Sequence, residues 1–248
     1  MYSKISIITV SLNSEKSIER TIKSIIKLNY KKNKIEFIIV DGGSTDNTLK
    51  IINNYRKYIH FFLSEKDQGM YYAINKGLKH CTGDIIGILN SDDYFYKNAL
   101  LIVSKYFRKF NIDYLFGTVK KKKIHHGFHK NKIWYKFDIY PSHSVGFFIK
   151  RSVQNIIGNY DIKFKYSADR DLLYKLISNN KFIGMPTKKN EVIGKFSPDG
   201  ISSKISFFKK MLEESKIRVS NNQNFYLVYL LLIMRLSYYF IRKFLRKN

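Results

Sequence analysis

The sequence predicts an α/β protein with a mostly parallel central sheet and helices on both faces. In the first half of the chain, short apolar runs alternate with segments whose apolar residues recur at helical spacing. Polar loops follow the apolar runs where parallel strands would end, and they read SLNSE, DGGSTDN and NSDD. Because such sheets bind ligands at the carboxyl ends of their strands, we expect these loops to converge on one crevice.

The elements are expected in regular order along the chain. Residues 4–10 read as a buried strand, and the helical pattern over 16–28 spaces its isoleucines three and four positions apart. The other expected elements are strands at 35–40, 59–64, 84–89 and 113–119, and helices at 48–58, 70–80, 97–109 and 169–179.

Composition limits the classes of protein that this chain can form. Its 248 residues, 44% hydrophobic, suit one large domain or one domain with a small appendage. The single cysteine, Cys81, excludes an intramolecular disulfide and a zinc cluster built from cysteines. The first residues are too few and too polar for a signal peptide. A net charge of +26 draws the protein toward nucleic acid, nucleotides or an anionic membrane, and composition alone does not choose among them.

Two adjacent carboxylates, Asp92 and Asp93, follow the apolar run GDIIGIL in this otherwise basic chain. A surface turn is one interpretation, since Asn, Ser and Asp favour turns. The other is a divalent cation, because Mg²⁺ and Mn²⁺ take one or two carboxylates together with water and phosphate oxygens. Neither GxGxxG after a strand nor GxxxxGK[ST] occurs in the sequence, so the usual dinucleotide and P-loop motifs are missing.

An ordered set of stretches resembles the family 2 glycosyltransferases with the GT-A fold, especially those of bacterial capsule, exopolysaccharide and lipopolysaccharide biosynthesis. The resemblance runs from about residue 4 to 203. It rests on ISIITVSLNSEKSIERTIKSI, IEFIIVDGGSTDNT, SEKDQGMYYAINKGLKHCTGDIIGILNSDD, HSVGFFIKRSV, GNYDIKFKYSADRDLLYKLI and FSPDGISS. It implies a GT-A (Rossmann-like) sheet with flanking helices, and an inverting enzyme that uses a nucleotide diphosphate sugar.

The resemblance also assigns residues to a donor site, with a UDP-sugar favoured and Mn²⁺ or Mg²⁺ as cofactor. Asp93 would ligate the cation, and Asp92 would lie toward the ribose or a metal-bound water. The donor-nucleotide residues implied are Val10, Ser11, Asn13, Asp41, Asp67, Gly69, Asn75 and Asp92.

The general base implied by the resemblance is Asp169, in SADRDLLYKL. An acceptor hydroxyl must lose its proton as it attacks, so a base is needed beside it. Many relatives carry Glu where this chain has Ala168, which leaves a single acid there. Asp171 is expected to serve capping or an ion pair, and it is the alternative candidate for the base. His143, in PSHSVGFF, is expected in the active site, with a structural histidine as the alternative.

The C-terminal part, 204–248, changes character, and we expect it to be separate from a catalytic domain at 1–203. Residues 225–240, FYLVYLLLIMRLSYYF, fall short of the roughly 20 apolar residues of a spanning helix. Arg235, Arg242 and Arg246 are spaced to share one face of a helix. Such a basic amphipathic helix suits an anionic membrane interface. The alternative is that it packs on the catalytic domain or on a second subunit, which would make a homo-oligomer.

The resemblance implies a metal-dependent transferase of hexosyl or N-acetylhexosaminyl groups, acting on a lipid-linked or lipopolysaccharide-type or capsule-type glycan. We expect it in the bacterial cytoplasm, peripheral on the inner face of the cytoplasmic membrane. One alternative is an inactive relative that binds nucleotide or glycan. Another is a basic nucleic-acid-binding protein, which is disfavoured because the strand-end loops are acidic and would repel a phosphate backbone.

Overall fold

The computed structural model describes residues 2–135, 144–197 and 206–245. Its strands are β1 Ile5–Ser11, β2 Ile35–Asp41, β3 Phe61–Ser64, β4 Ile85–Ile88, β5 Tyr94–Phe95, β6 Tyr114–Phe116, β7 Thr118–Lys120, β8 Ile124–His125, β9 Phe147–Lys150, β10 Gly184–Pro186 and β11 Val192–Lys195. Its α-helices are α1 Ile18–Ile26, α2 Thr48–Asn54, α3 Met70–Lys79, α4 Ala99–Phe110, α5 Arg151–Ile157, α6 Ala168–Ser178, α7 Phe207–Ser220 and α8 Phe225–Phe244.

The main sheet has seven strands in the order β10-β6-β9-β4-β1-β2-β3. Every neighbouring pair is parallel except those of β9, which runs antiparallel to β4 and β6. All residues of β1 and β2 are buried, as expected for strands covered on both faces. The strand order reverses at β1, which lies between β2 and β4, so a crevice forms at their carboxyl ends. The predicted α/β class and mostly parallel sheet are confirmed.

A second, four-stranded sheet with the order β5-β11-β7-β8 was not predicted. The single strand expected at 113–119 is divided at Gly117 into β6 of the main sheet and β7 of the small one. The Gly117 N–H donates to the Gly146 carbonyl at 2.7 Å. A Cβ at Gly117 would overlap the side chain of Ile193 on β11. The chain therefore passes between sheets at a position where β11 leaves room only for glycine.

The helix expected at 48–58 is also shorter than predicted. α2 ends at Asn54, and a separate 3₁₀ turn covers Arg56–Tyr58. The Ile59 N–H donates to the Arg56 carbonyl at 3.1 Å, which is the i to i+3 hydrogen bond of a 3₁₀ turn. Ile59, the first residue of the expected strand, therefore belongs to the end of this turn. That strand, β3, begins at Phe61.

α7 packs against α6 and contributes side chains to the apolar core. Met211 and Ile217 of α7 are buried, and Ile217 belongs to the same apolar cluster as the residues of α6. Glu214 of α7 is also buried, and its Oε2 accepts from Arg170 of α6 at 2.7 Å and from Arg235 of α8 at 2.6 Å. A unit ending at residue 203 would lose these contacts.

Arg235 does not join a basic outer stripe on the C-terminal helix. Its side chain turns toward Glu214 and lies over the ring of Phe207, 5.4 Å from the centroid. Arg242 is exposed, and Arg246 lies outside the described residues. The expectation that Arg235 contributes to an exposed basic face is therefore wrong. Helical spacing shows which residues share a face, but it does not show which neighbouring element covers that face.

Truncation should separate the roles of the two C-terminal helices. A chain ending after Asn224 keeps α7 and should unfold cooperatively in thermal circular dichroism. A chain ending after residue 203 loses the buried side chains of Met211 and Ile217. Replacing one buried Met or Ile by Ala typically lowers the free energy of unfolding by roughly 2–5 kcal/mol, so this shorter chain should not fold stably. Equal unfolding temperatures for the two truncated chains would contradict the packing role of α7.

Candidate active site

The polar loops at the carboxyl ends of β1, β2 and β4 converge, as predicted. The hydroxyls of Ser14 and Ser91 are hydrogen-bonded at 2.8 Å and join the loops after β1 and β4. Asn13 adopts a left-handed backbone, with φ of 48°, and its Oδ1 accepts from the Thr45 N–H at 2.9 Å. This bond joins the loops after β1 and β2. The predicted donor residue Asn13 therefore shapes the crevice wall.

Asp41 ties together the ends of three strands. It is fully buried, and its carboxylate accepts from the hydroxyls of Ser11 and Ser64, both at 2.9 Å. It also accepts from the N–H groups of Gly43 at 3.0 Å and Ser44 at 2.8 Å. Ser11 and Asp41, both predicted to bind the donor nucleotide, are thus hydrogen-bonded to each other. Contact between this carboxylate and a nucleotide base would require one of these bonds to open.

Three further residues predicted for the nucleotide site lie near the end of β1 and in the stretch between β3 and α3. Val10 is buried near the end of β1. The Asp67 carboxylate is bonded to Lys76, which also meets Glu65 at 2.6 Å. Among the described residues, Asp67 Oδ2 is buried with no hydrogen-bond partner. Gly69 begins α3 with φ of 147°, and a Cβ there would meet nothing within 4 Å. The stretch thus combines a buried acceptor atom with open space.

Asn75 supports this stretch from behind. Its Nδ2 donates to the Tyr160 carbonyl at 2.8 Å, and its Oδ1 accepts from the Tyr160 N–H at 2.9 Å. These two bonds fasten α3 to the loop before α6. We therefore interpret Asn75, expected to contact the donor, as a residue that holds α3 in place.

Asp92 and Asp93 differ sharply in burial. Asp92 is half-buried, while Asp93 is 1% exposed and its Oδ1 accepts from the Ser197 N–H at 3.0 Å. Main-chain carbonyls of both residues are held by α1, since Arg20 donates to that of Asp92 at 2.7 Å and Thr21 to that of Asp93 at 2.6 Å. Burial, and then the charge of Asp92, raise the pKa of Asp93 to about 8.

The two carboxylates fit a divalent cation held jointly with a phosphate group. No cluster of three or more His, Cys, Asp or Glu side chains that could hold a metal occurs within the described ranges. A cation that keeps water and phosphate oxygens needs only one or two carboxylates, so Asp92 and Asp93 suffice. Its charge would also favour the ionised form of Asp93, which burial and Asp92 disfavour.

Asp169 is connected to α3 through Tyr71, a residue that sequence reasoning missed. The Tyr71 hydroxyl donates to Asp169 Oδ1 at 2.8 Å, and the Arg170 N–H donates to the same oxygen at 3.0 Å. The buried Tyr71 ring is stacked on Tyr160 with centroids 5.6 Å apart. Burial, and then the charge of Asp169, raise the pKa of Tyr71 well above its ordinary value, so it remains a donor. Asp169 itself is half-buried.

Asp171 makes an ion pair, as expected. It is buried, its Oδ2 meets Lys175 Nζ at 2.7 Å, and its Oδ1 accepts from Asn221 Nδ2 at 2.8 Å. His143 lies outside the described residues. Its neighbour Ser144 accepts from Asn90 Nδ2 at 3.2 Å, in the loop that carries Asp92.

Comparison with known proteins shows the family. Residues 6–178 match the family described as Glycosyl transferase family 2, a range that contains every predicted site residue. The chain belongs to this family. The resemblance seen in the sequence is confirmed, and α7 and α8 lie beyond the matched range.

Three relatives illustrate the similarity. An uncharacterised glycosyltransferase of Mycobacterium tuberculosis is 36% identical over 91 residues, which are 37% of this chain and 34% of the relative. TarS of Staphylococcus aureus, a poly(ribitol-phosphate) β-N-acetylglucosaminyltransferase, is 31% identical over 120 residues, 47% of this chain and 21% of TarS. A PGL/p-HBAD biosynthesis glycosyltransferase of Mycobacterium bovis is 30% identical over 156 residues, 58% of this chain and 59% of the relative. The matches thus cover less than two thirds of the length of these relatives.

Solved structures confirm the GT-A fold. The crystal structure of TarS residues 1–349 matches with a TM-score of 0.66 and 21% identity, covering 92% of this chain and 69% of that one. A mannosyltransferase from Pyrobaculum calidifontis, solved with GDP-Man and Mn²⁺, matches with a TM-score of 0.61 and 16% identity, covering 88% and 63%.

Proposed function

We propose that this family 2 glycosyltransferase moves a sugar from a nucleotide diphosphate sugar to a hydroxyl of a glycan acceptor, with inversion at the anomeric carbon. The observation that carries the proposal is the arrangement at the carboxyl ends of the strands. There the carboxylate pair Asp92 and Asp93 follows β4, and Asp169 is hydrogen-bonded to the start of the donor-lining α3. One part suits a diphosphate, and the other suits a hydroxyl that must lose a proton.

A UDP-sugar is the proposed donor, with transfer of a hexosyl or N-acetylhexosaminyl group. TarS, the relative solved with UDP and with UDP-GlcNAc, supports the choice of uridine. The archaeal mannosyltransferase was solved with GDP-Man, which makes a guanosine donor the alternative to test. Val10, Ser11 and Asn13 would line the base, with Asp41 at the rear of the same pocket.

In the proposed mechanism, Asp169 removes the proton of the acceptor hydroxyl as that oxygen attacks the anomeric carbon. Tyr71 and the Arg170 N–H both hold Oδ1, which orients the carboxylate and leaves Oδ2 for the acceptor. Asp92 and Asp93 would hold Mn²⁺ or Mg²⁺, which when bound neutralises negative charge on the diphosphate. Attack from the face opposite the diphosphate inverts the configuration.

The proposed acceptor is a lipid-linked glycan of the lipopolysaccharide or capsule type, reached from the inner face of the cytoplasmic membrane. The poly(ribitol-phosphate) in the name of TarS supports a polymeric acceptor. The exposed apolar surface of α8 supports a peripheral position at the membrane. The boundary we propose for the catalytic unit is the end of α7, since α7 packs on α6.

A panel of UDP- and GDP-sugars, assayed for nucleotide release with and without Mn²⁺, tests the proposal. We expect one UDP-sugar to release nucleotide in a Mn²⁺-dependent manner, and faster when a glycan acceptor is added. Nucleotide binding by calorimetry without release from any sugar in the panel would indicate an inactive relative instead.

Tyr71→Phe should lower kcat roughly 10- to 100-fold with little change in the KM for the donor. The change removes a hydrogen bond to a charged group, worth roughly 1.5–3 kcal/mol, while the ring stacked on Tyr160 remains. Separate determination of kcat and KM checks this. Tyr72→Phe, a half-buried neighbour, is the matched control. A change in KM alone, or none in either constant, would remove Tyr71 from its positioning role.

A further inference from the structure

The helix α8 contacts the rest of the described chain along one side. Val228 on that side is 4% exposed, whereas most other large apolar side chains of α8 are exposed. Among the described residues, α8 is long and apolar enough to cross a membrane by length and composition. The expectation that this segment falls short of a spanning helix is therefore wrong, because the helix continues beyond residue 240 to Phe244. The exposed surface, called here the α8 outer face, includes Tyr226, Tyr229, Leu230, Ile233, Met234 and Ile241.

The rotation of α8 about its axis is set by α7. Arg235 reaches inward to Glu214 at 2.6 Å, and Tyr239 is stacked on Phe207 with centroids 4.5 Å apart. The charged residue in the middle of the helix is therefore used in the interface with α7. As a result, the α8 outer face has no charged residue over its central turns.

The width of the outer face favours lipid over a single helical partner. Val228, Arg235 and Tyr239, spaced i, i+7 and i+11, mark the inner side. The exposed apolar residues occupy roughly 200° of the remaining circumference. A partner helix covers a narrow stripe of two positions in seven, which would leave much of this surface in water. A continuous apolar medium covers all of it.

The charge around the α8 outer face indicates which kind of lipid surface it would bind. Glu214 is the last acidic residue in the sequence. The exposed basic residues here are Lys209 and Lys216 of α7, which packs on α8, and Arg242 of α8 itself, whereas Arg218 and Arg235 are turned inward. Basic residues beside an apolar helical face are attracted by anionic headgroups at close range. Acidic groups that would be repelled are missing from this part of the sequence.

We propose that the α8 outer face docks on an anionic lipid bilayer, with the helix lying in the plane of the interface. A spanning orientation is disfavoured because α7, packed alongside, carries Lys209, Lys210 and Lys216. This inference deepens the membrane association proposed above. Because α7 contacts both α6 and α8, and packed helix axes lie about 8–10 Å apart, the helix carrying Asp169 would lie within roughly 20 Å of α8.

Flotation of the full-length chain with phosphatidylcholine vesicles, with and without phosphatidylglycerol, tests the proposal. We expect binding to the anionic vesicles that weakens as salt rises but persists, since burial of the apolar face does not depend on salt. Ile233→Glu should weaken the binding roughly tenfold or more, because a carboxylate is placed in the apolar layer. Ile156→Glu, on an equally apolar and 70% exposed residue of α5, should leave binding unchanged.

Three outcomes would overturn the proposal. The first is that the wild-type chain ignores anionic vesicles at low salt. The second is that both substitutions weaken binding equally. The third is a dimer that Ile233→Glu dissociates while no lipid is bound, which would identify a second copy as the occupant. Nucleotide release with a water-soluble acceptor, measured in the same variants, should be unaffected by Ile233→Glu. If release were lacking in every variant, the proposed transferase function would fail while the lipid result still stood.

Discussion

Asp169→Asn is expected to lower sugar transfer roughly 10²–10⁴-fold while donor binding is retained. The amide still accepts the hydrogen bond from Tyr71 but cannot take a proton at neutral pH, so the contribution of a positioned base is lost. Steady-state transfer rates and calorimetric binding of UDP to the same preparation check both parts. The fold should be intact, since Asp169 is half-buried and makes no ion pair among the described contacts.

Asp171→Asn is the informative comparison for this variant. Asp171 is buried, with Lys175 and Asn221 on its two oxygens, so its substitution should lower the unfolding temperature more than the turnover of the folded fraction. If Asp169→Asn kept full activity and Asp171→Asn lost it, the two roles would have to be exchanged.

Asp93→Asn should abolish the dependence of transfer on Mn²⁺ together with most of the activity, yet leave the cation-free protein at least as stable as wild type. The amide oxygen can still accept from the Ser197 N–H, and because burial and Asp92 raise the pKa of Asp93 to about 8, the neutral amide replaces a carboxyl that is largely protonated at neutral pH without the cation. Thermal unfolding with and without Mn²⁺, beside the rate at increasing Mn²⁺, measures both effects. Wild type should be stabilised by Mn²⁺ with UDP, and the variant should not.

Asp92→Asn serves as the paired variant. Asp92 is more exposed and is expected toward the ribose or a metal-bound water, so its substitution should raise the donor KM and lower turnover less severely. Equivalent effects of the two substitutions would contradict this division of roles. Near-normal activity of Asp93→Asn at saturating Mn²⁺ would contradict the metal site itself.

The parts of the fold that were predicted depend on local sequence patterns. β1, β2 and α3 begin and end within a residue or two of their expected bounds. Buried strands and amphipathic helices can be predicted in this way because their apolar residues recur with a characteristic spacing along the local sequence. The convergence of the strand-end loops also followed, since parallel strands bring their carboxyl ends to one edge.

The parts that were not predicted depend on contacts between distant residues. Tyr71 and Asp169 are 98 positions apart, and nothing near either residue indicates their hydrogen bond. The break at Gly117 is set by Ile193 on another strand, and the inward turn of Arg235 is set by Glu214 on another helix. Sequence patterns place a residue on a face, but the neighbour that covers this face is decided by tertiary packing.

A crystal structure with UDP and Mn²⁺ is the most direct test of the claim that this crevice holds a nucleotide diphosphate through the carboxylate pair. We expect an anomalous Mn²⁺ peak at the carboxylates of Asp92 and Asp93, bridging to the diphosphate, with the uridine beside Val10, Ser11 and Asn13. UDP bound elsewhere, or UDP in the crevice with Mn²⁺ absent from both carboxylates, would contradict it.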